Sequence, residues 1–87
     1  MSSSKTVLLD GGPRIEDISF EVSFLREAKL RRQINTRIRN TLQRNGIITL
    51  SQLMELEMLP EGLGVVCHEA IRVKLAEMGL KFKARLG

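Results

Sequence analysis

Arg37, Asn40 and Arg44 stand three and four residues apart, a spacing that puts side chains on one side of a helix. Two guanidinium groups and an amide so arranged suit a polyanion: arginine forks onto phosphate oxygens, and an amide donates to phosphate or sugar. At 100° per residue the three fall within about 60° of one another, while Arg39 lies elsewhere. Ile34, Ile38 and Leu42 recur every four residues beside them and form the stripe that must be buried.

Charge along the chain supports a basic side. Residues 1–25 carry two basic and four acidic groups, residues 26–44 seven basic groups against Glu27, residues 45–62 three glutamates, and residues 63–87 five basic and two acidic groups. The total is +4, and the excess at 26–44 favours anionic partners. Other chemistry finds little support. A single His68 next to a single Cys67 lacks a second pair of metal ligands and makes no nucleophile–base–orienter set. No catalytic residue, metal or cofactor is therefore expected, and Cys67, on an apolar stripe, is expected to be a small buried hydrophobe. No apolar run is long enough to span a bilayer, and one cysteine cannot form an internal disulfide, so a cytoplasmic protein is expected.

The elements that must hold this cluster are legible from punctuation. "MSSSK" reads as a flexible tail, "TVLL" as a short strand and "DGGPR" as a turn. "ISFEVSF", residues 18–24, alternates strictly, and period two predicts a strand. Two of the three phenylalanines lie in it, so Phe20, Val22 and Phe24 are candidate partner contacts, through an edge that pairs with a partner or with a second copy in a homodimer. A basic helix is expected over 25–33, with Asn35 or Thr36 ending it and capping the next. Gly46 sits where a helix C-terminus takes a left-handed residue. Thr49 and Gln52 form a capping box, and Leu50, Leu53, Met54 and Met58 give the following helix its apolar side. Gly62 and Gly64 make a second hairpin. The last helix runs from about Val65 to Met78, with Cys67, Ile71, Leu75 and Met78 on one face and Val66, Ala70 and Val73 flanking it. Gly79 ends that helix, and Leu80 and Phe82 fold back on the core. The expected fold is mainly all-α: a compact bundle of short helices in two helix–hairpin–helix units, with an N-terminal extended, β-like segment. Residues 1–33 form an extension, 34–82 the domain and 83–87 a basic tail.

With that register in place, residues 34–82 resemble the C-terminal domain of the bacterial RNA polymerase alpha subunit. The runs that carry the resemblance are "INTRIRNTLQRNGIITLSQLMEL" and "LPEGLGVVCHEAIRVKLAEMGLKF", a little over half the chain. Residues 1–33 have no counterpart in it. The resemblance implies a non-catalytic, transcription-associated domain of bacterial or phage-encoded type that binds the minor groove of A/T-rich DNA and contacts activators and sigma factor. It carries the family's groove arginine onto Arg37, its asparagine onto Asn40 and its hairpin glycine onto Gly64. Arg44 is a further candidate for phosphate. A guanidinium in a narrow minor groove meets enhanced negative potential, and backbone N–H groups at a glycine hairpin approach phosphate closely.

The departures pull the other way. The family has lysine at the position of Val66, usually serine at that of Cys67 and often an acid near Ala70. Valine neutralises no phosphate, and one lost contact weakens binding roughly several-fold to tenfold. The alternative is an interaction module that contacts RNA polymerase, sigma factor or a transcription regulator with little DNA affinity. A generic helix–hairpin–helix module of DNA repair would be indifferent to A/T content, and it too typically has a basic residue near Val66.

Overall fold

A computed structural model describes residues 13–86, and three α-helices dominate it: α1, Ala28–Arg44; α2, Leu50–Met54; and α3, Val65–Glu77. A 3-10 turn at Ile15–Asp17 precedes them. The chain is mainly helical, as expected, and no helix is long and apolar enough to cross a membrane among the described residues. The expected tail at 1–5 and strand at "TVLL" lie outside the described residues.

The helix ends follow their capping chemistry. At the end of α1, Gly46 takes φ 81°, where a side chain would be strained, while its N–H donates to the Gln43 carbonyl and the Ile47 N–H to that of Leu42. The same pair of bonds closes α3, from Gly79 to Ala76 and from Leu80 to Leu75. Opening α2, the Thr49 hydroxyl accepts from the Gln52 backbone N–H at 3.3 Å and the Gln52 side-chain Oε1 accepts from the Thr49 backbone N–H at 3.2 Å. That is the expected capping box, satisfying donors a five-residue helix cannot satisfy internally.

Two expectations about the first third are corrected. Residues 18–24 form no strand; the segment runs beside the helices without a ladder partner. Its alternation is real, with Ile18, Phe20 and Val22 buried and Ser19, Glu21 and Ser23 exposed, but the buried side faces this domain's own core. Phe20 and Val22 are therefore not available as partner contacts or as a homodimer edge, and Phe24 alone of the three is exposed. The second correction concerns the break at Asn35 or Thr36: α1 is one continuous helix of 17 residues. Asn35 does not cap. Its side chain is buried, and its Oδ1 accepts from the Phe20 backbone N–H at 2.8 Å. An acceptor that satisfies an otherwise orphaned buried donor offsets the cost of an asparagine within a helix.

The segment before α1 is thus part of the domain. The Ile15 N–H donates to the Ile48 carbonyl at 2.7 Å and the Leu50 N–H to that of Pro13 at 2.8 Å, stitching it to the α1–α2 turn. With Ile38, Leu42, Leu53, Ile71 and Leu75, it supplies one core. Completely burying a side chain such as Phe20 stabilises by about 1.5–3 kcal/mol. The far end is docked as well. Ala84 is buried, the Leu59 N–H donates to the Arg85 carbonyl at 2.7 Å, and the Arg85 N–H donates to that of Glu57 at 3.0 Å. Of the expected basic tail, 83–87, residues 83–86 are described, and backbone bonds at Arg85 hold them against the loop between α2 and α3. Leu80 and Phe82 pack against the core, as the sequence leads one to expect, whereas Met58 and Met78 are exposed.

Candidate nucleic-acid interface

α1 and α3 together build the candidate surface. Ile38 and Leu42 are fully buried and turn α1 so that Arg37, Asn40 and Arg44 are exposed. Thr41, buried on the border of that row, packs toward Gly62: a side-chain carbon added at Gly62 would lie 3.8 Å from the Thr41 methyl. The row therefore runs past the loop that leads into α3. Gly62 takes φ 101°, and Gly64, exposed and extended, caps the start of α3, where its carbonyl accepts from the His68 N–H at 2.9 Å.

Cys67 lies in the first turn of α3. Burial pushes its thiol above the ordinary value, and a backbone hydrogen bond at Gly64 and the Arg37 charge pull the other way. Asn40 and Arg44 follow Arg37 one and two turns along α1, and the approach of Thr41 to Gly62 sets this helix beside the loop that leads into α3. Among the described residues Arg37, Arg39 and Arg44 form no ion pair, in contrast to Arg72 with Glu69, Lys74 with Glu77 and Arg14 with Glu16.

The surface is not uniformly polar. Val65 and Val66, the first residues of α3, are 69% and 44% exposed, so both valines lie in the open rather than in the core. Cys67 is buried and free, and His68 Nε2 lies 2.8 Å from the Ala84 carbonyl oxygen, with its ring 5.7 Å from that of Phe82. Both residues serve packing here. Among the described residues no three His, Cys, Asp or Glu side chains gather to hold a metal ion.

Continuity of α1 adds two residues that the sequence reading left apart. Lys29 and Gln33, both exposed, project within about 80° of Arg37 on the same helix. The signal for them was the unbroken run of good helix formers from Ala28, without Gly or Pro, across the supposed cap. No protein-family model, curated protein or solved structure matches the chain.

Proposed function

We propose that this domain is a non-catalytic, transcription-associated DNA-binding module with two helix–hairpin–helix units, α1–α2 and α2–α3, that contacts the minor groove and phosphates of A/T-rich duplexes. Arg37 enters the groove, Asn40 and Arg44 contact sugar and phosphate beside it, and the backbone at Gly64 approaches a phosphate at the start of α3. The observation that carries the reading is an exposed Arg37, without an acidic partner among the described residues, on the helix whose Thr41 approaches Gly62 in the glycine loop that leads into α3. Charge not neutralised internally is what a polyanion can use, and a narrow groove concentrates the potential a guanidinium seeks. Base discrimination beyond A/T content is not expected from so degenerate a groove.

Val65 and Val66 favour a second reading. Two exposed valines where a phosphate contact would help suit a protein surface, so the module would contact RNA polymerase, sigma factor or a regulator and bind DNA weakly. Titrating labelled A/T-rich and G/C-rich duplexes at low and moderate salt separates the two. The DNA reading expects salt-dependent binding that favours A/T-rich duplex, with Arg37→Ala lowering affinity at least tenfold, about 1.4 kcal/mol, and leaving thermal stability within about 0.5 kcal/mol. No binding at low salt selects the interaction module.

A further inference from the structure

We infer that α1 carries a second contact for the sugar–phosphate backbone of duplex DNA, made by Lys29 and Gln33, so that Arg37 is flanked by a cation on either side. This deepens the minor-groove reading and rests on it. The basis is the single helix from Ala28 to Arg44, which sets Lys29, Gln33, Arg37, Asn40 and Arg44 in one exposed row. At 1.5 Å per residue, Lys29 stands about 12 Å before Arg37 along the axis and Arg44 about 10 Å beyond it.

A minor groove is about 6 Å wide between its two backbones. A helix laid across it with Arg37 at the centre brings the long side chains of Lys29 and Arg44 over opposite strands. The Gln33 amide, between Lys29 and Arg37, reaches sugar or phosphate oxygens on the Lys29 side. An ammonium is a compact charge that suits a phosphate oxygen without reading a base edge. The contact is therefore independent of sequence.

Other cations of the domain are differently disposed. Arg31 donates to the carbonyl oxygens of Leu25 and Arg26 at 2.5 and 2.8 Å, holding the turn before α1. Arg72 and Lys74 on α3 lie against Glu69 and Glu77. Arg32 and Arg39 are on α1 but point roughly 140–160° away from Arg37. Arg32 is itself only about 60° from Lys29, so the net-charge control is Lys81, exposed beyond the end of α3 remote from Gly64.

The test is a salt titration of labelled A/T-rich and G/C-rich duplexes with the intact chain, Lys29→Gln, Lys81→Gln and Arg37→Ala. Lys29→Gln keeps a good helix former at an exposed position. It is expected to weaken binding about fivefold near 0.15 M salt on both duplexes and to reduce the slope of log affinity against log salt by about 1. Lys81→Gln is expected to change affinity by less than about twofold, since a charge remote from the duplex is screened. If Lys29→Gln binds like the intact chain while Arg37→Ala loses binding, this inference fails and the minor-groove reading stands. If Lys81→Gln loses as much as Lys29→Gln, net charge and not the row is responsible, and the inference fails again. If the intact chain binds neither duplex at low salt, both readings fall together.

Discussion

Phe20 and Val22, in the extended segment ahead of α1, are enclosed completely or nearly so, while Val65 and Val66, in the first turn of α3, are 69% and 44% exposed. Sequence patterning suggests the reverse. The alternating segment looks like an edge offered to a partner, and Val66 looks like a flank of the buried face of the last helix. Periodicity states which residues share a side; it does not state what that side meets. The segment is turned inward by bonds of its own, Phe20 to Asn35, Ile15 to Ile48 and Leu50 to Pro13. The start of α3 is turned outward because Cys67, Ala70 and Ile71 already fill the contact with the core.

Changing Phe20 tests the inward half of that contrast most severely. Phe20→Ala is expected to destabilise the domain by about 3–5 kcal/mol, enough to unfold many domains of this size, whereas Phe24→Ala should stay within about 1 kcal/mol. Urea unfolding of the pair decides it: equal effects would mean the segment is not part of the core. Asn35→Ala is next, at about 1–3 kcal/mol, because the Phe20 N–H would be left buried without its acceptor. Stability and far-UV circular dichroism should together show an intact helix on a weaker domain.

The outward half is probed by Val66→Lys. With Val66 exposed, stability should move by no more than about 0.5 kcal/mol, while affinity for A/T-rich duplex should rise about fivefold at 0.15 M salt through one more phosphate contact. A marked loss of stability would place Val66 in the core after all. The smallest effect is electrostatic. Burial raises the Cys67 thiol above its ordinary 9.0, so the unfolded chain gives up that proton first as pH rises. Stability from this group is complete below that value and is lost as pH climbs toward the raised one. Unfolding midpoints measured from neutral pH upward should fall less steeply for Cys67→Ala than for the unmodified chain.

Much of the helical frame was legible because it depends on chemistry close in sequence. The box of Thr49 and Gln52, the left-handed Gly46 and Gly79, and the last helix to within a residue of its end all follow from local signals. The row of Arg37, Asn40 and Arg44 was legible for the same reason, since helical spacing with a buried stripe beside it determines which side is exposed. What escaped depends on partners distant in the chain. Asn35 and Thr36 read as a cap until Asn35 is seen to accept from a donor 15 residues away. The docking of residues 83–86 uses backbone groups of Glu57, Leu59 and Arg85, which no side-chain pattern advertises. The reach of the basic row to Lys29 was hidden by that same supposed cap.

The bond between Asn35 and the Phe20 amide has a practical corollary. Phe20 sits in no helix or ladder, yet its proton is buried and engaged, so its exchange with deuterated solvent requires the segment to part from α1. That one amide resonance is a gauge of how tightly the first third of the domain is fastened. Should a ligand on the outer side of α1 stiffen the helix, its slowing would register the event from the opposite side.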